Sequence, residues 1–386
     1  MNNQTRFKLT ALMLGILLVC VSCICAAAEP ANKDFIIEGK TLVKYTGSGG
    51  EVTVPDGVEE LGENAFEDTA VKKVILPETL KEIRSYCFMN CRLLNEITLP
   101  ASMTNLESSI DEGKVVWQAQ VFYGNPMLEA IQVAEGNPAY KSIDGVLFTA
   151  AGKRLVYYPD GKNRGGEYAI PEGTEELGYS AFGDPAMKAI HFPATLRQLN
   201  NEGGAFRSIS TLHDITVSPD NLDYYSEDGV LYDYDGTLVL YPAARDTESL
   251  SKEDFSENIT GIGMCAFDGN RHLKSVEIPE SVKSLGWMSF EGMHSLESIV
   301  IPETVKSISG YAFSDCGKLK KITILNPEIC LPDNSDVEEE LREMNKFIIT
   351  DGSYQAVLCG YDNSTTQAYA EKWGLKFESL GPVPEK

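Results

Sequence analysis

Histidine is nearly missing from this chain: His191, His213, His272 and His294 are the only four in 386 residues. None has the spacing of a metal ligand set or the partner of a Cys/His catalytic pair. Positive charge is short as well, with 33 Lys and Arg against 57 Asp and Glu and a formal net charge of −24. Nucleic acid and anionic lipid both need basic patches, so this balance argues against either as a partner. The acid serves the solubility of an extended surface, or attracts a cationic partner. Beyond residue 28 no apolar run is long enough to cross a membrane.

Nucleotide loops are also lacking. Gly39-Lys40-Thr41 ends like a phosphate loop but has Asp34 where that loop needs Gly. Gly261-x-Gly263-x-x-Ala266 has no βαβ unit around it. Asp233-Tyr234-Asp235-Gly236 lacks the remaining ligands of a calcium loop and reads as a hairpin turn. Of nine cysteines, six lie beyond residue 28, and none of these pairs as Cys-x-x-Cys. Cys91 and Cys316 each follow a repeated Phe by three residues and read as buried thiols. Cys330 with Cys359 is the one pair to consider for a disulfide. No catalytic residue, metal or cofactor is therefore expected.

What the chain has is a leader and a period. Arg6 and Lys8 precede an apolar stretch, Leu9 to Cys25, and Ala26-Ala27-Ala28 offers small residues for cleavage. That is the pattern of a signal peptide over residues 1–28 and predicts export. Cys20-Val21-Ser22-Cys23 resembles a lipoprotein processing site, which would place a lipid anchor at Cys23.

From residue 55 one spelling recurs. A small residue and Phe are followed, after a gap, by Leu-x-x-Ile-x-Ile-Pro and then x-x-Val-x-x-Leu. Phe267, Phe290 and Phe313 are spaced by 23 residues, and the full set adds Phe66, Phe88, Phe122, Phe182 and Phe206. A fixed period of this length marks a stacked solenoid. Alternation in the last four positions of Leu-x-x-Ile-x-Ile predicts a strand with one buried face. One repeat cannot bury its Leu, Ile and Phe alone. Stacking at about 4.8 Å joins the strands into one parallel sheet over one continuous core.

The expected fold is thus a β-rich leucine-rich-repeat solenoid with its parallel sheet on the concave face. Residues 29–54 form an N-terminal cap and 55–330 the solenoid. Ser108–Gln118 reads as a loop insertion. Hairpin insertions fall at about 134–165 and 218–250, where Asp144-Gly145-Val146-Leu147 returns 84 residues later as Asp228-Gly229-Val230-Leu231. Residues 331–386 make a small α/β C-terminal cap, with helices expected at Ser335–Lys346 and after Ser364-x-x-Gln367.

The proline-ended strands, the Ile-Gly corners and Ala-Phe-x-x-Cys resemble the BspA-type bacterial leucine-rich repeats over about residues 51–326. Gly360–Phe377 is similar to that family's closing segment. The resemblance implies a secreted or surface-attached protein connected with adhesion, and carries no catalytic motif. A sorting signal for the cell wall is not recognisable at the C-terminus, and the hairpins break the regular stack.

Two surfaces are candidates. Strand alternation turns Glu96, Thr98, Gln132, His191, Asp214, Thr216 and Glu277 outward on the sheet, among small neighbours such as Ala130 and Ala189. The hairpins carry Tyr157, Tyr158, Tyr232 and Tyr241, with Tyr140, Tyr224, Tyr225 and Tyr234 beside them. Tyr suits a protein or sugar interface, and equally a strand packed on the solenoid. The first reading is a non-enzymatic scaffold for a protein ligand or host matrix, secreted or at the cell surface. The alternative is a carbohydrate-binding or structural envelope protein using the hairpins.

Overall fold

The computed structural model describes residues 33–106, 110–111, 114–115, 121–178, 180–183, 185–199, 206, 209–332, 349–350 and 356–385. The leader with Cys23, most of the 108–118 insertion and the 335–346 helix lie outside the described residues.

Each rung follows its spelling. In Glu96–Leu99, Ile97 and Leu99 are buried while Glu96 and Thr98 face solvent. Parallel pairing then sets like residues side by side, Ile97 against Val74 and against Ile131. Asn, Asp or Gly repeatedly takes a left-handed backbone two residues after Phe, as in Asp68, Asn90, Gly269, Gly292 and Asp315. These residue types tolerate that region best, so they set a corner there. A second left-handed corner falls two residues before Phe, at Asn64, Tyr86, Ser180, Cys265, Met288 and Tyr311. The pair of corners turns the chain around each Phe and into its stack. Rings of Phe267, Phe290 and Phe313 lie 5.0 and 5.3 Å apart and nearly parallel.

The solenoid has two parallel ladders. The long one holds the Leu-x-x-Ile-x-Ile strands. A short one, not expected from the alternation, passes through the x-x-Val-x-x-Leu segments at two residues per rung, as in Glu60–Leu61, Glu82–Ile83 and Asn105–Leu106.

Three antiparallel elements start the short ladder three times. Phe35–Glu38 and Thr41–Tyr45 form a hairpin that feeds Glu60–Leu61. Tyr140–Ile143, Val146–Thr149 and Arg154–Tyr157 form a three-stranded meander that feeds Glu176–Leu177. Tyr224–Glu227, Val230–Asp233 and Thr237–Leu240 repeat it and feed Gly261–Ile262. Both meanders turn on Asp-Gly with positive φ at each residue, Asp144-Gly145 and Asp228-Gly229.

These meanders correct the expectation of one sheet over one core. The long ladder breaks into runs ending at Ala130–Val133 and Asp214–Val217. The buried side chains fall into three clusters. Leu147 and Tyr157 belong to the first cluster, whereas Val146, Phe148, Leu155 and Tyr158 belong to the second. At the second meander the division recurs: Leu231, Val239 and Leu240 face back, and Val230, Tyr232, Leu238 and Tyr241 face forward. Each meander is a wall buried on both sides. Ile97, Ile190 and Val276 are all buried, yet each belongs to a different cluster.

The C-terminal end closes the last cluster. Val357–Gly360 and Phe377–Ser379 extend the long ladder in parallel. Between them runs one helix, Thr365–Trp373, capped by Ser364 accepting from the Gln367 amide and ended by left-handed Gly374. Tyr369 and Ala370 on it pack into the core.

Candidate functional site

The outer row of the long ladder falls into three groups. In the first, Glu96 pairs in register with Lys73 and Ala130, and Thr98 with Gln132. Glu96 and Thr98 are exposed and Gln132 is half-buried. A groove of about 210 Å³ runs along this group, past Lys73, Ile75, Glu78 and Pro100. The Ile75 side chain is an exposed apolar neighbour there.

In the second group, Asp214 and Thr216 are exposed and His191 is half-buried between strands. The His191 ring bridges two neighbours, with Nδ1 2.5 Å from Thr216 Oγ1 and Nε2 3.2 Å from Glu167 Oε2. Arg245 reaches Asp214 at 3.8 Å and lies over the Tyr241 ring. Ala189, expected to point outward, is buried. It sits in register between Glu167 and Asp214, and its methyl does not reach past them. In the third group Glu277 is exposed beside Val300, through an isolated bridge. The hairpin walls separate these groups along the chain, so they form three short surfaces.

The four hairpin tyrosines do not form a surface. Tyr157, Tyr158, Tyr232 and Tyr241 are each at most 7% exposed. Tyr158 and Tyr241 hold the place of the repeat Phe in the first rung of a stack. Tyr158 leads to Phe182 and Phe206, and Tyr241 to Phe267. Tyr45 does the same for Phe66. Tyr157 instead closes the preceding stack against Phe122. Its hydroxyl donates to Phe122 O at 3.0 Å and to Asp160 Oδ1 at 2.9 Å. Burial, with the Asp160 carboxylate beside it, pushes the Tyr157 phenol well above its ordinary range. Burial also lifts Tyr232, to about 12. A shared spelling marks the three rung-starters: Leu42-Val43-Lys44-Tyr45, Leu155-Val156-Tyr157-Tyr158 and Leu238-Val239-Leu240-Tyr241.

The cysteines are all free among the described residues. Cys91 and Cys316 are buried thiols that each donate at 3.0 Å to the backbone oxygen of the preceding repeat's Phe. Cys330 bridges Ser307 on the short ladder, whereas Cys359 pairs with Thr323 on the long one. The two thiols thus lie on different ladders, and the disulfide considered for them is not formed.

A parallel solenoid of short rungs, with an inward Leu/Ile face and a Phe stack, defines a leucine-rich-repeat protein. The chain belongs to the family described as the BspA type leucine rich repeat region, whose model matches in six copies over residues 41–112, 166–229 and 243–335. Among solved structures, a leucine-rich repeat protein from Eubacterium ventriosum is similar at 16% identity and a TM-score of 0.52. That match covers 91% of this chain and 84% of the other. A leucine rich cell surface protein from Faecalibacterium prausnitzii is similar at 22% identity and a TM-score of 0.41, over 75% of this chain and 86% of that one. The pneumococcal vaccine antigen PcpA is similar at 15% identity and a TM-score of 0.42, over 92% and 98%. No curated protein matches the chain.

Proposed function

We propose that this chain is a non-enzymatic binding scaffold that works outside the cell or at its surface and grips a protein partner along the outer row of the long ladder. The observation that carries this reading is the row itself. Glu96, Thr98, Asp214 and Thr216 stand exposed, in register with short or polar neighbours, on the parallel sheet, and Glu277 stands exposed beside Val300. Short side chains let a partner approach closely, and fixed backbone lowers the entropy lost on binding. The groove beside Ile75, Glu96 and Thr98 adds an apolar foothold. The signal-peptide pattern of residues 1–28 supports export.

A panel of immobilised extracellular-matrix and secreted proteins tests the reading. At least one member should bind the full chain. A variant carrying Glu96→Ala, Thr98→Ala and Gln132→Ala, or one carrying Asp214→Ala and Thr216→Ala, should lose about tenfold in affinity, roughly 1.4 kcal/mol. Lys283→Ala with Lys306→Ala, off this row, should change nothing. A panel without any binder, or binding indifferent to both row variants, refutes the proposal.

A further inference from the structure

The second hairpin wall carries a groove at its outer turn. It measures about 500 Å³ and is lined by Tyr225, Tyr234, Asp235, Gly236 and Asn258. That size suits one or two sugar rings. Tyr234 is 60% exposed, and its ring meets Tyr225 at 5.2 Å and 37°. Tyr225 is held in place from below. It stacks on buried Tyr232 at 5.4 Å, and its hydroxyl bonds Ser256 Oγ at 2.9 Å. Among the described residues, the Tyr234 hydroxyl, the Asp235 carboxylate and the Asn258 carboxamide have no hydrogen-bond partner. Gly236 brings the turn against the next rung: a Cβ there would come 2.4 Å from Asn258 O.

The fold does not need this set. At the first wall the positions of Tyr234, Asp235 and Tyr225 are taken by Ala150, Ala151 and Lys141. The backbone equivalence holds into the turn, where Ala150 N bonds Ala139 O as Tyr234 N bonds Asp223 O; past the Gly the first turn carries one residue more than the second before Leu155 and Leu238. On the following rung, Thr174 N to Pro171 O matches Ile259 N to Ser256 O, which puts Gly173 where Asn258 stands. The same meander thus forms without the aromatic pair, the acid or the amide. Exposing a tyrosine beside unpaired polar groups contributes nothing to the second meander that the first lacks.

We infer that this groove is a carbohydrate-binding site for a neutral pyranose, separate from the outer row of the long ladder. Tyr234 and Tyr225 touch each other, so no gap between them encloses a cation; the exposed Tyr234 ring, backed by Tyr225, offers an aromatic face that suits the C–H face of a sugar ring. Asp235 accepts hydrogen bonds, and Asn258 both donates and accepts, which matches a pair of adjacent hydroxyls. The chain's charge of −24 repels uronic and sialic acids and selects uncharged sugars. Tyr225, fixed by Tyr232 and Ser256, is in place before the sugar arrives.

The test uses the full chain on a panel of immobilised gluco-, galacto-, manno- and N-acetylglucosamine oligosaccharides, with acidic glycans and Nα-acetyl-lysine methylamide alongside. At least one neutral oligosaccharide should bind. Tyr234→Ala should weaken it about tenfold or more, and Asp235→Asn about threefold to tenfold. Thermal unfolding midpoints should stay unchanged, because both side chains are exposed. Should Tyr234→Ala unfold the chain, Asp235→Asn and Asn258→Ala carry the same test. Three outcomes overturn the inference: no neutral sugar bound at millimolar concentration, binding untouched by the substitutions, or salt-sensitive binding of the lysine derivative in place of sugar.

Discussion

At the first hairpin wall, Tyr157, Asp160 and Asn125 form a buried polar latch; at the second, Leu240, Ala243 and Ile209 stand in the same three places. The alignment is fixed by shared backbone bonds, Gly161 N to Leu128 O at one wall and Ala244 N to Leu212 O at the other. In the latch, Asp160 accepts from the Tyr157 hydroxyl and from the Asn125 backbone N–H. The Asn125 amide donates to the backbone oxygens of Phe88 and Phe122. At the second wall all three side chains are apolar, so none of them needs a partner. The set changes as a unit because a buried polar group without its partner costs more than the pair contributes. The wall's architecture survives the exchange, so it rests on features common to both. These are the Asp-Gly turn, the alternation of side chains to two cores, and a clasp. Asn137 and Asn221 each donate to two backbone oxygens of the preceding third and accept two N–H groups of their own turn.

The largest expected effect lies where the walls agree. Tyr158→Ala and Tyr241→Ala each empty the first place of an aromatic stack, and each should cost about 3–5 kcal/mol of local stability. Hydrogen exchange should lose protection in the third that follows the altered wall; loss confined to the preceding third would break the account of forward-facing and backward-facing sides. A smaller effect lies where the walls differ. Asp160→Ala alone should cost about 1–3 kcal/mol, while Asn125→Ile, Tyr157→Leu and Asp160→Ala together should cost less than their separate losses summed. Tyr157→Phe should destabilise, whereas Tyr158→Phe should be neutral or stabilising, since the buried Tyr158 hydroxyl has no partner among the described residues. Denaturant titration of the single, paired and triple variants measures both contrasts.

The smallest effect separates the N-terminal hairpin from the walls. Glu59 takes hydrogen bonds from Lys40 and Lys81, which hold its carboxyl down to about 2 against an ordinary 4.5. The first wall keeps Lys153 with Glu175 at 2.8 Å, and the second has Thr260 at that place. A folded value below the unfolded one means that the unfolded chain takes up the proton first as pH falls. The contribution is therefore whole above about pH 5 and lost on the way down to about pH 2. Glu59 is half-buried but both lysines that reach it are exposed, and solvent screening keeps the contribution slight. An NMR titration of Glu59 should show its midpoint rising in Lys40→Gln, and an unmoved midpoint would remove the Lys40 contact from the account.

The long ladder was legible because each rung spells its own alternation: Glu96, Ile97, Thr98 and Leu99 declare inside and outside within four residues. The short ladder was not, because two residues such as Glu60–Leu61 cannot show a period. Outward positions of the candidate row were likewise readable, Ala189 excepted. Asp235 and Asn258 come together only through stacking, 23 residues apart, with no local pattern to join them.

Period and spelling alone determined that this chain stacks rungs, that Leu and Ile turn inward and that Phe marks each corner, since those choices rest on neighbours in sequence and on burial repeated at fixed spacing. Only the tertiary structure decided that Tyr157 and Tyr158 look into different cores and that both are hidden. Alternation assigns adjacent residues to opposite faces of a strand; whether the second face meets water or another packed layer depends on what the rest of the chain lays against it.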